Sequence, residues 1–199
     1  MSDPGGAEEA IARYRWASEN SVFGLGACVT LVSGVSPEEA LSILVPDAAT
    51  DVRPVSEVRA WADGFTYPEY ASVVEAGTRG GWTLVVEDTS GYQATLEGAV
   101  EALSRGGEAV VVFQNVNAAM SFAYARHGAL VRRFDPLLYD MPQVGAPLPQ
   151  EEGLGFGSRD VAYLAAALVL AERLTGLTLS REDLEPSPDR LAIGFRPQW

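Results

Sequence analysis

The chain has 199 residues, 47% of them apolar, enough to bury the core of one large domain. Its 27 acidic residues against 14 basic ones leave a formal charge of -13, which would repel a nucleic-acid backbone or an anionic membrane surface. Every basic residue is an arginine, which excludes Schiff-base and phosphate-loop lysine chemistry, and the single cysteine, Cys28, permits neither an intrachain disulfide nor a cysteine-built zinc cage.

Residues 1–6 are polar and glycine-rich and read as a flexible lead, without the charged start and apolar core of a signal peptide. The segment 7–18 then places Ala7, Ala10, Ile11, Tyr14 and Ala17 on one helical face. A short strand is predicted over 27–33, closed by Gly34. The clearest start signal follows: Ser36-Pro37-Glu38-Glu39 offers an N-cap serine, a proline at the first helical position and a capping-box glutamate, so a helix runs from 37 to about 44. Prolines at 46, 54 and 68 mark 47–68 as a connector with one helical candidate, 57–62.

Segments 70–76 and 82–88 read as a hairpin around a loop of five residues, 77–81. In the second strand Trp82, Leu84 and Val86 share one face, Thr83, Val85 and Glu87 the other. A helix is predicted over 94–104, with Leu96, Val100 and Leu103 on its buried face. Three strands follow as a meander, 108–114, 120–126 and 129–135, the last two joined by the tight turn His127-Gly128. Pairing Arg126 with Ala129 puts Phe122, Tyr124 and Val131 on one face between Arg126 and Arg133, with Arg132 on the other. Glycines, prolines and Glu151-Glu152 make 137–157 an exposed connection. Ser158 is placed to cap a helix over 159–175 that is apolar nearly all round and therefore buried on several sides or packed on a partner. A short extended piece and one helical turn lead to a tail, 186–199.

The fold class is α+β: an antiparallel sheet built from the hairpin and the meander, covered by helices, in a single domain spanning 7–185. The helices 94–104 and 159–175 are expected on the same face. No run of apolar residues is long enough to cross a bilayer, and a cytoplasmic location is expected.

Chemistry-bearing residues are sparse. Gly24-x-Gly26 and Gly153-x-Gly155-x-Gly157 lack the G-x-G-x-x-G spacing of a dinucleotide loop. His127, the only histidine, sits in a turn, and Cys28 lies in an apolar strand, so neither has a local catalytic partner. Glu87 and Asp135 both end strands; if those ends adjoin, the two carboxylates form an acid/base pair or a cation site, and they are the catalytic candidates. Trp82, Phe113, Phe122 and Tyr124 are candidates for an apolar contact surface, with Asn115 and Asn117 beside the turn after 114 as polar readers. No metal ligand set and no cofactor is implied.

The blocks Trp82-Thr83-Leu84-Val85-Val86-Glu87, Leu103-Ser104-Arg105-Gly106 and Val112-Phe113-Gln114-Asn115-Val116-Asn117-Ala118 resemble an uncharacterised family of actinobacterial proteins known only as a domain of unknown function. Phe122, Phe134-Asp135-Pro136 and Leu174-Thr175-Gly176 continue the similarity. The resemblance implies an actinobacterial, cytosolic protein of one domain, and no activity or functional residue comes with it.

Two functions are carried forward. The first is a non-enzymatic binding or protein-interaction module, accessory to a gene cluster or defence system, with a protein partner or a second copy as homodimer and no nucleic acid or membrane. The second is a small metal-independent or carboxylate-dependent enzyme that takes a small molecule into an apolar pocket. An exposed apolar patch on the 159–175 helix or a sheet edge marks the first, a carboxylate pointing into a concave pocket the second.

Overall fold

The computed structural model describes residues 4–19, 26–66, 71–88, 92–158 and 161–196. Gly24, Pro68, Tyr70, Arg159 and residues 1–3 and 197–199 lie outside them.

The described elements, in chain order, are α1 (Pro4–Arg13), α2 (Trp16–Glu19), β1 (Ala27–Val32), α3 (Pro37–Leu44), β2 (Arg53–Pro54), α4 (Val55–Ala62), β3 (Ser72–Arg79) and β4 (Trp82–Asp88). Then come α5 (Ala99–Leu103), β5 (Glu108–Gln114), β6 (Met120–Arg126), β7 (Ala129–Phe134), α6 (Tyr163–Thr175) and β8 (Leu191–Phe195). Eight strands form one antiparallel sheet in the order β2-β8-β3-β4-β1-β5-β6-β7. The fold is α+β, as the strand and helix patterns predict.

Strand β1 joins the hairpin to the meander, with Val29 opposite Val86 on one side and Val112 on the other. All six of its residues are buried. A strand buried on both faces needs a cover on both, and the expectation that 94–104 and 159–175 share a face is corrected accordingly. Helix α6 lies with Leu31, Leu84, Val110 and Phe122. Helices α3 and α5 cover the opposite face, over Cys28, Val85, Val111 and Ala123. Each fully buried leucine contributes roughly 1.5–3 kcal/mol, so Leu164, Leu168 and Leu170 make α6 the main anchor of its layer.

Helix α3 begins as predicted: the Ser36 hydroxyl accepts the Glu39 N–H at 3.2 Å, with Pro37 in the first turn. Other boundaries shift for local reasons. The helix predicted over 7–18 starts at Pro4 and breaks at Tyr14-Arg15. The β3–β4 ladder runs through Gly77 and Thr78 to the pair Arg79 and Trp82, so the turn is Gly80-Gly81 alone, both at positive φ, and not the five-residue loop expected. The helix predicted over 94–104 splits into a 3-10 turn, Gln93–Thr95, and α5, because Leu96 is extended and Gly98 takes φ 77. Leu96 is consequently 45% exposed and not on a buried face.

Helix α6 is capped at Ala162, not Ser158, whose carbonyl instead accepts the Tyr163 hydroxyl. The segment 137–157, expected as an exposed connection, buries Leu154 and Glu151 against the sheet. The expected tail contains β8, which inserts between β2 and β3. Its Gly194 gives the strand room to lie under Trp61 of α4, since a Cβ there would collide with the indole ring.

The chain ends of α1 and α6 are tied by Tyr14, whose hydroxyl donates to Glu172 Oε2 at 2.7 Å and accepts the Leu179 N–H at 3.0 Å. Tyr14→Phe would strip the buried Leu179 N–H of its acceptor, and a loss of about 2 kcal/mol is expected by urea denaturation. A loss under a few tenths would mean that water takes over both bonds.

Candidate functional site

Glu87 is the catalytic candidate with the most unusual setting. It faces α3 and α5, directly opposite Cys28 of β1 and Val74 of β3, and is fully buried. Its carboxylate accepts the Gln93 N–H at 2.7 Å through Oε2 and the Ala94 N–H at 3.0 Å through Oε1. Burial pushes its pKa up to about 7, against the opposing pull of those two N–H groups and the Cys28 thiol. Burial, reinforced by the Glu87 charge, also holds the Cys28 thiol well above its usual range. A thiol kept protonated is a packing group and a weak donor, with no nucleophilic character.

Asp135 does not join Glu87. Both lie at the same end of the sheet, but four strand spacings separate β4 from β7, roughly 19 Å at about 4.8 Å per strand. Asp135 Oδ1 instead accepts the N–H groups of Leu137 and Leu138, at 2.8 and 3.1 Å, and shapes the turn out of β7. Asn115 does the same after β5, its Oδ1 accepting from Asn117 and Ala119, both at 2.9 Å. Asn117 itself is exposed.

The four apolar candidates are split between the two layers. Phe122 and Tyr124 are buried beneath α6, and Trp82 packs against the same cluster while half-buried. Phe113 lies against the α3 and α5 cluster on the other side. His127 stands at φ 49 in its turn, with Gly128 at φ 80, which is the backbone role the sequence assigned it.

A larger polar centre comes from Arg132, which the predicted strand pairing placed on the face opposite Arg126 and Arg133. The β6–β7 pairing starts with Arg126 opposite Ala129 as predicted, then slips by one residue between Tyr124 and Ala125. This bulge puts Arg132 opposite Tyr124 and Phe134 opposite Phe122, in place of the predicted face of Phe122, Tyr124 and Val131 with Arg132 on the reverse. Arg132 is fully buried. It donates to Glu151 through Nε at 2.7 Å and Nη2 at 3.0 Å, and to the Gly145 carbonyl through Nη1 at 3.0 Å. Its guanidinium carbon stands 4.6 Å from the Phe134 ring centre. Glu151 also accepts the Tyr139 hydroxyl at 2.7 Å and the Leu148 N–H at 2.8 Å. Burial alone would raise the Glu151 pKa, but the Arg132 bonds, the Leu148 N–H and the Tyr139 hydroxyl together hold it below the usual carboxylate range.

One local signal pointed to this centre. Leu148-Pro149-Gln150-Glu151 has a proline at the first position and a glutamate at the third of a helical turn, and Glu151 does reach back to the Leu148 N–H. A third buried acid, Glu75, lies between Arg59 and Arg190. Among the described residues no group of three or more His, Cys, Asp or Glu side chains is gathered to hold a metal ion, and no helix is long and apolar enough to cross a membrane.

These buried carboxylates have one chemistry in common: each ends on backbone N–H groups or arginines of its own chain. A family model matches residues 7–193, and the chain belongs to that family, described as Family of unknown function (DUF6461). No curated protein and no solved structure matches the chain.

Proposed function

We propose that this member of the DUF6461 family is a non-enzymatic binding module that holds a protein partner on the surface beside strand β7. One observation carries the reading: Leu137, Leu138, Met141 and Val144, all within the segment that follows β7, expose between 40% and 57% of their surface. Four large apolar residues exposed in one short stretch mark a contact surface more often than isolated ones do. The stretch is fixed to the sheet, because Val144 and Arg133 exchange N–H to carbonyl bonds of 2.9 and 3.0 Å at the β7 edge. An interaction surface at this sheet edge is favoured over one on α6, which is buried from Leu164 to Ala171.

A carboxylate-dependent enzyme is the competing reading, and Glu87 with its raised pKa is its basis. A general base must reach its substrate directly or through one water. The full burial of Glu87 and the occupation of both its oxygens weigh for a structural role.

The double substitution Leu138→Asp and Met141→Asp tests the proposal. Both side chains are exposed, so the melting temperature should stay within a few degrees. Native mass spectrometry of the wild type, purified gently from its own kind of host, should retain a second polypeptide or a second copy that the double variant loses. Adding the retained polypeptide back should restore the complex only with the wild type. A bare monomer in both, or a complex that survives the double substitution, overturns the proposal.

A further inference from the structure

At the opposite edge of the sheet, a cleft of about 570 Å³ opens between the end of α3, α4, the Tyr92-Gln93 segment and the C-terminal end of β8. Three aromatic side chains line it, Trp61, Tyr92 and Phe195, and each is half-buried. That volume is in the range of small-molecule sites, which are mostly apolar with a few placed polar groups.

The aromatic walls are held in place from behind. Trp61 rests on Gly194, where any Cβ would collide with the indole, and its other neighbour Phe65 meets it edge-on at 4.9 Å between ring centres. Strand β8 therefore leaves out a side chain at the one position where the ring lies on it. The Tyr92-Gln93 wall is pinned by the buried Glu87 carboxylate, which takes the Gln93 and Ala94 N–H groups. Gln93, on this preorganised turn, carries a side-chain amide with an NH₂ group to donate and a carbonyl to accept.

The charges select against ions. Asp47 and Arg196 both line the cleft, both are exposed, and their signs oppose. Asp47 and Arg196 offset one another, so the lining has no net charge to hold an ion, and the chain's net charge of -13 further disfavours an approaching anion. Arg196 is also turned onto Phe65, with its guanidinium carbon 5.5 Å from the ring centre. What the walls offer is stacking surface and an amide.

We infer that this cleft binds an uncharged, planar aromatic or heteroaromatic small molecule whose hydrogen-bonding edge is read by Gln93. The site is distinct from the surface beside β7, since its strand β8 stands six strand spacings from β7 in the sheet and the Glu87 strand β4 four.

Saturation-transfer NMR with three probes of equal size tests the inference: 2-naphthamide, 2-naphthoate and 2-naphthylmethylammonium, each offered to the full chain. Transfer to the neutral amide should exceed that to either ion. Trp61→Ala should weaken amide binding on the order of tenfold, the loss of one stacking wall. Gly194→Ala, which keeps the indole but pushes it off the strand, should weaken it in the same direction, with circular dichroism confirming that both variants stay folded. Leu138→Asp should leave it unchanged. Equal or stronger transfer to either ion, binding indifferent to both cleft substitutions, or no transfer to any probe overturns the inference.

Discussion

Arg132→Ala should lower the stability of the protein by about 3–5 kcal/mol, the usual cost of removing one partner from a buried ion pair. The cost arises on Glu151, which would keep its charge in a site 7% exposed with only the Tyr139 hydroxyl and the Leu148 N–H as partners. Arg132→Lys should recover little of this. An ammonium is a point donor and cannot span both Glu151 oxygens, the Gly145 carbonyl and the Phe134 face as the planar guanidinium does. Urea denaturation midpoints measure both losses. If Arg132→Ala costs under 1 kcal/mol, the pair is idle and the segment 135–151 is held by its apolar contacts and the Val144–Arg133 backbone bonds.

The second large effect is a pH dependence with the opposite sign to ordinary acid denaturation. The Glu87 pKa is raised from 4.5 to about 7, so the folded protein binds this proton more tightly than the unfolded chain does. Its contribution is fully present below about 4.5 and is lost as pH rises through about 7, by up to about 3 kcal/mol. Glu151 acts the other way: its lowered pKa gives stability present above the usual carboxylate range and lost as pH falls further. Glu87→Gln should therefore flatten the decline between pH 5 and 8 and leave the low-pH limb in place. It also turns an amide NH₂ toward one of the two N–H donors, at a pH-independent cost of about 1–3 kcal/mol. Urea midpoints at pH 5, 6, 7 and 8 check this, and an identical slope in wild type and Glu87→Gln would place the titrating group elsewhere.

What could be read from the sequence was local. The N-cap of α3, the turn His127-Gly128 and the strand alternation around Trp82 to Glu87 are set by residues within a few positions of one another. The centre of the sheet was not local in that sense: β1 pairs with β4 and β5, more than fifty residues downstream, and only that pairing demands helices on both faces. Strand β8 hid in a short stretch after two prolines, and the reason for its Gly194 is Trp61 on another helix. Arg132 was misplaced because a one-residue bulge reverses which face it occupies, and no pattern in Ala129 to Phe134 announces a bulge. Glu87 and Asp135 could be read as strand ends, but whether those ends adjoin was not legible, because strand order, not strand identity, sets their distance.

The binding reading is tested most directly by hydrogen–deuterium exchange on the free protein and on its complex with the polypeptide retained in native mass spectrometry. Partner-dependent protection should fall on residues 129–148, the β7 edge and the apolar stretch beside it. Protection centred on residues 92–96, with 129–148 unchanged, would contradict a docking surface there and return attention to the turn that Glu87 holds.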